Sequence, residues 1–107
     1  MTVIDDIYTV KYRSLSLSIR RQVIADYWVL EGLLYADEYY PIKASKNDVV
    51  LDIGANIGIF TCKLASKVNR VIAIEPEPSN FSTLTKNVKQ NNFFNVNLLN
   101  LAVSDKL

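Results

Sequence analysis

Val49-Val50-Leu51-Asp52-Ile53-Gly54-Ala55-Asn56-Ile57-Gly58 is the stretch on which the fold turns. It opens as an apolar run rich in β-branched residues, the composition of a buried strand. One acid, Asp52, sits near its end, and Gly54 and Gly58 then break the run into a helical pattern. Strand, glycine turn and helix together place backbone amides and a helix N-terminus at the strand's carboxyl end, which is how α/β sheets hold nucleotides.

Downstream, the pattern repeats. A helix is predicted from about Ile57 to Val68, with Ile57, Phe60, Leu64 and Val68 buried and Lys63, Ser66 and Lys67 in water. Val71 to Ile74 forms a second strand ending at Glu75, and Pro76, Pro78 and Ser79 open another helix. Phe81, Leu84 and Val88 are its inner stripe, with Lys86, Lys89 and Gln90 outside. A third strand covers roughly Val96 to Leu101 and leads into Ala102-Val103-Ser104. The result is β-α-β-α-β with parallel strands, because each connection is a helical crossover.

Upstream, Leu15, Leu17 and Ile19 alternate with serines, and Tyr8, Val10 and Tyr12 alternate in the same way, so residues 7–21 read as a hairpin or bent strand ending in a solvated Arg20-Arg21. A helix follows from about Val23 to Tyr35 and must stop before Tyr40, since Pro41 disfavours helical dihedrals at the residue preceding it. Residues 1–42 thus form a strand and helix extension, and 43–107 a nucleotide-binding half domain, together one compact unit. The fold class is α/β: a Rossmann-like three-layer arrangement with a truncated parallel sheet. The strand from Val49 is apolar on both faces except at Asp52, as when helices cover both sides.

Composition narrows the chemistry. The chain has 107 residues, a net charge of +1, one cysteine and no histidine. Without histidine, Ser-His and Cys-His nucleophile pairs are excluded. A lone Cys62 can form no intrachain disulfide, is a poor metal ligand and fits a reducing cytoplasm. The balanced charge gives no general reason to expect nucleic acid as partner, and no apolar run suits a membrane span.

The carboxyl edge supplies the candidate ligands. Glu75 lies 23 positions after Asp52, where an acid at a strand tip accepts hydrogen bonds from ribose hydroxyls; the less favoured alternative is a helix-start acid before Pro76 that complements the helix dipole. A dinucleotide needs a further glycine where this chain has Asn56, and Asp52 would repel a pyrophosphate. S-adenosylmethionine suits the turn better, since its ammonium and sulfonium attract Asp52. Asp52 could also cap the turn through its own backbone hydrogen bonds.

Three ordered motifs carry a family resemblance: Val50 to Gly58, then Ile74-Glu75-Pro76-Glu77-Pro78, then Leu101-Ala102-Val103-Ser104-Asp105-Lys106. Together they resemble the FkbM-type branch of class I S-adenosylmethionine-dependent methyltransferases. The resemblance implies that Asp52, Gly54 and Gly58 surround the methionyl end of S-adenosylmethionine, with Asn56 lining it. It implies Glu75 on the ribose, Pro76 and Glu77 beside the adenosine, and Ala102, Val103 and Ser104 near the adenine. Tyr39 would close the methionyl side, unless it and Tyr40 merely pack ahead of Pro41.

The resemblance also implies O-methyl transfer to a small, sugar-like acceptor. In that family the sheet continues beyond the third strand and supplies the acceptor pocket, so catalytic residues are not identified here. The alternative is a non-catalytic interaction protein retaining half of the fold. In either case the Val49–Ile53 strand lacks a neighbour on one side, and an uncovered edge is a pairing hazard. The N-terminal strand around Ser14 to Arg20, or a second copy in a homodimer, is expected to cover it.

Overall fold

The computed structural model describes residues 6–39 and 41–105, with Tyr39 as backbone only. Its elements are β1 (Ile7–Tyr12), β2 (Leu15–Arg20), α1 (Ile24–Tyr39), β3 (Val49–Ile53), α2 (Ile59–Ala65), β4 (Arg70–Ile74), α3 (Pro78–Gln90) and β5 (Val96–Leu99). Strands β3, β4 and β5 form a parallel sheet in that order. The β-α-β-α-β reading is therefore correct, and the crossover helices bring every strand's carboxyl end to one edge.

The N-terminal segment is a hairpin, with β1 antiparallel to β2 and Arg13 in the left-handed region (φ 54°) at the turn. This corrects the expectation that it covers β3: β1 and β2 make a sheet of their own. β2 instead packs on α3 and also touches α1 and α2, so the helices lie between the hairpin and the parallel sheet. Leu15, Leu17 and Ile19 of β2 join Ile57, Cys62, Val71, Leu84 and Val88 in one apolar cluster. Burial pushes the Cys62 thiol up to about 12, which leaves it without nucleophilic character.

Ser16 and Ser18, which alternate with those apolar residues, are tied to α3. Asn87 accepts the Ser18 N–H at 2.6 Å and donates to the Ser18 carbonyl at 3.0 Å. Asn91, one turn later, does the same for Ser16 at 2.7 and 2.8 Å. Two residues along a strand span nearly the same distance as four along a helix, so an i,i+4 pair of amides can pair with a strand edge as another strand would. This satisfies the free edge of β2 and blunts it against further pairing.

β3 is different. Val49, Leu51 and Ile53 are 62%, 56% and 57% exposed, whereas Val50 and Asp52 are half-buried. Among the described residues, helices cover only one face of the sheet, and the edge of β3 has no neighbouring strand. The expectation of a strand covered on both faces thus fails on one side. No described helix is long and apolar enough to cross a membrane.

Helix bounds shift slightly. α2 is shorter than predicted because Asn56 and Gly58 are held at φ 56° and 85°, which keeps the turn from joining the helix. Phe60 is partly exposed, and Lys63 lies 5% exposed against Asp37 of α1 at 2.9 Å, where the sequence pattern had placed it in water. Arg20 is no solvated strand end either: it forms a two-pronged pair with Asp26 and reaches Ser79 and Asn80 at the start of α3.

Candidate cofactor site

The turn after β3 is built by its neighbour. The Gly54 and Ala55 amides both donate to the Ile74 carbonyl at 2.9 Å, tying the turn to the end of β4. Gly54 (φ 73°) takes a conformation that costs other L-residues about 1–2 kcal/mol. Apart from its own chain neighbours, no atom of the described residues lies within 4 Å of where a Cβ would stand at Gly54, so the backbone there borders open space. Gly58 serves packing instead: a Cβ there would meet Leu84 Cδ1 of α3 at 2.5 Å.

Asp52 accepts the Thr61 hydroxyl of α2 at 2.6 Å through Oδ2. Burial pushes its carboxyl above the ordinary range; the Thr61 hydrogen bond opposes this, and the negative charge of Glu75 adds to it. An acid in such surroundings favours a cationic partner. Thr61, fully buried, was not singled out in the sequence, although its place nine residues after Asp52 on the facing helix is the only trace it leaves there.

Glu75 is 5% exposed. Its Oε1 accepts the Asn56 N–H at 2.7 Å and its Oε2 accepts the Glu77 N–H at 3.0 Å. The strand-tip carboxylate therefore organises the glycine turn and the start of the next loop, while each oxygen retains lone-pair capacity for a further donor. Glu77 caps α3: its carboxylate accepts the Ser79 and Asn80 amides at 3.0 and 2.7 Å, which also lowers its pKa. Pro76 is exposed between these two acids.

Asn100, also absent from the sequence reading, donates to the Glu75 and Pro76 carbonyls at 2.8 and 3.1 Å. With the Glu75 N–H donating to Leu99 O at 3.0 Å, it fixes the end of β5 beside the end of β4. Ala102, Val103 and Ser104 follow as exposed chain at that same edge. The structure so brings together Asp52, Gly54, Asn56 and Glu75, with the 102–104 segment leaving nearby. Tyr39 ends α1, its side chain outside the described residues, and Tyr40 and Lys106 lie outside them too. Among the described residues no acidic or cysteine cluster suits a metal ion.

A family model described as the TRM5/TYW2 methyltransferase domain matches residues 32–104, about two thirds of the chain. Over 55 residues the chain is 44% identical to the tRNA(Phe) (4-demethylwyosine(37)-C(7)) aminocarboxypropyltransferase of Methanocaldococcus jannaschii, covering 50% of this chain and 22% of that protein. It is 44% identical over 45 residues to hexuronic acid methyltransferase AglP of Haloferax volcanii, covering 42% and 18% respectively. Among solved structures, M. jannaschii TYW2 in complex with AdoMet superposes with a TM-score of 0.72 at 27% identity, covering 95% of this chain and 46% of that one. P. horikoshii TYW2 in complex with MeSAdo superposes with a TM-score of 0.73 at 19% identity, covering 97% and 39%. The chain thus spans less than half the length of these relatives.

The class I S-adenosylmethionine-dependent fold stands, but the FkbM assignment is corrected: the matching family model is TRM5/TYW2. The three motifs behind that assignment all lie along the edge where the cofactor would bind. The residues present fit S-adenosylmethionine. Gly54 leaves room for a ligand against the backbone, Asp52 offers a carboxylate to a cation, and Glu75 stands buried at the neighbouring strand tip.

Proposed function

The chain belongs to the TRM5/TYW2 methyltransferase domain family, and on that premise we propose that it is the cofactor-binding part of an enzyme that transfers a group from S-adenosylmethionine to RNA. One observation carries this reading: Asp52, Gly54 and Glu75 converge at the carboxyl edge of a parallel sheet, within the segment that matches the family. Asp52 would hold the ammonium of the methionyl end, Gly54 would leave the methionyl chain room against the backbone, and Glu75 would hold the ribose. Ala102, Val103 and Ser104 would border the adenine, Pro76 and Glu77 would flank the adenosine, and Tyr39 would close the methionyl side. Bound there, the cofactor supplies a sulfonium whose attached carbons are electrophilic. This chain's residues orient it and set its local charge.

The acceptor reading shifts from a small sugar-like molecule to RNA because the family's relatives include a tRNA(Phe)-modifying enzyme. The near-neutral net charge does not weigh against this, since charge is distributed locally. Methyl transfer is the first reading. A second, aminocarboxypropyl transfer, is favoured by the name of the 44% identical relative. Both use the same cofactor and differ in which carbon–sulfur bond breaks. The test is incubation with tRNA and S-adenosylmethionine labelled either in the methyl or in the carboxyl carbon. Methyl label in the RNA supports the first reading and carboxyl label the second. Label in neither, with a longer chain that contains this one, would overturn both.

The open edge of β3 suits pairing with a second copy about a two-fold axis, which would continue the sheet. A monomer at all concentrations in sedimentation would exclude that assembly.

A further inference from the structure

A second site lies away from the cofactor edge. Where the hairpin turn meets α2 there is a pocket of about 170 Å³, bordered by Arg13, Ser14, Asp37, Lys63, Ser66 and Lys67. The Lys63 ammonium is buried, 5% exposed, and among the described residues its one ion-pair partner is Asp37, with Oδ1 at 2.9 Å. It brings three N–H donors to that one acceptor oxygen and makes no well-directed hydrogen bond of its own.

Asp37 does not neutralise the pocket. Its charge is matched by Lys63, and its other oxygen accepts the Tyr12 hydroxyl. Arg13, 73% exposed, stands 3.6 Å from that same oxygen and rests over the Tyr12 ring at 5.4 Å. Lys67, four residues after Lys63, is exposed and borders the same pocket. One carboxylate thus faces three cations, and the surplus is two positive charges around surplus donors and the Ser14 and Ser66 hydroxyls. Tyr12 and Leu15 supply an apolar wall, but the surplus of positive charge and of N–H donors favours an oxyanion over a cation or a wholly apolar group.

We propose that this pocket holds a phosphate group of an RNA chain, gripping the backbone at a point remote from the reacting nucleotide. The proposal rests on the RNA reading above and adds to it a specific anchor. Phosphate contacts of this kind position a nucleic acid without reading its sequence. Inorganic phosphate offers the same chemistry, so the test separates the two sources.

The experiment measures tRNA affinity across a range of salt concentrations for the chain, for a double variant Arg13→Ala/Lys67→Ala, and for a control Lys86→Ala/Lys89→Ala on the exposed face of α3. Amide shifts of Ser14, Ser66 and Lys67 are followed in parallel during titration with inorganic phosphate, against chloride at equal ionic strength. The expected result is phosphate-specific shifts at those amides and a weakening of RNA binding of about tenfold in the pocket variant only. The salt slope should fall by about 0.7–0.9, the value for one phosphate contact. Equal RNA affinity and slope in both double variants would overturn the anchor while leaving the RNA reading intact. Phosphate shifts without any RNA effect would assign the pocket to the free ion and overturn it equally. Absence of RNA binding by any form would overturn both together.

Discussion

Asn56 donates its backbone N–H to Glu75 Oε1 at 2.7 Å, joining the glycine turn after β3 to the tip of β4. The acid that the sequence offers as a ribose ligand therefore already works within the protein, holding in place the loop that would surround the methionyl end. A ribose bound at Glu75 would therefore couple ligand binding to the order of the loop through one carboxylate.

Glu75→Gln leaves one acceptor oxygen for two backbone donors, Asn56 and Glu77. It is expected to cost about 1–3 kcal/mol, the effect of a buried donor losing its partner. Denaturant unfolding checks this, and weaker cofactor binding should accompany it. Unchanged stability would mean that these hydrogen bonds do not hold the turn.

The two glycines of the turn should separate in their effects. Gly58→Ala forces a Cβ to within 2.5 Å of Leu84 Cδ1 at a positive φ, and a loss of about 2–4 kcal/mol is expected from strain and overpacking. Gly54→Ala meets no neighbour, so its stability cost should stay near the 1–2 kcal/mol of the left-handed backbone. Its larger effect should fall on cofactor affinity, because the methyl group points into the space the ligand would use. Thermal melts and binding isotherms on both variants decide this.

Asn87 holds three places at once: it bonds both backbone groups of Ser18 and donates to the Ile57 carbonyl at 2.8 Å. Asn87→Leu removes these bonds from a fully buried position, and a loss of about 3 kcal/mol or more is expected from the stranded polar groups. Amide exchange at Ser18 should quicken in step. A near-neutral change would show that the helix does not complete the strand edge.

Acid should weaken the fold through Asp37. Its carboxyl is held down to about 2 from an ordinary 3.8, first by the Tyr12 hydroxyl and then by Lys63. The stabilisation is fully present above the unfolded value of 3.8 and is lost as pH falls towards 2. Thermal melts over that window should show a falling Tm in the parent chain. In Asp37→Asn the baseline stability drops, because Lys63 is left buried without an ion-pair partner, but the slope across the window should shrink.

The legible part of this protein was the part written in backbone chemistry. Apolar runs, Gly54, Gly58 and the prolines at 76 and 78 specify strand, turn and helix from short-range constraints, so the parallel sheet and the Asp52–Glu75 edge could be read directly. What escaped were partnerships across the fold. Lys63 looked like a surface lysine because nothing local reveals that Asp37 awaits it on α1. The pairing of Ser16 and Ser18 escaped because the asparagines that satisfy them lie about 70 positions away, with separations of 75 and 69. The family branch escaped because the motifs quoted for it all lie along the edge where the cofactor would bind.

The most direct test of the account is a calorimetric titration of the chain with S-adenosylmethionine and S-adenosylhomocysteine, repeated with Asp52→Asn at neutral and mildly acidic pH. Asp52 has its carboxyl raised chiefly by burial, and a cationic ligand favours the ionised form. Binding should therefore weaken as the pH falls through that raised value. Asp52→Asn should bind at least about tenfold more weakly, as expected for loss of a charged hydrogen bond, and with little pH dependence. No heat with either ligand, or equal affinity in Asp52→Asn at both pH values, would contradict the account.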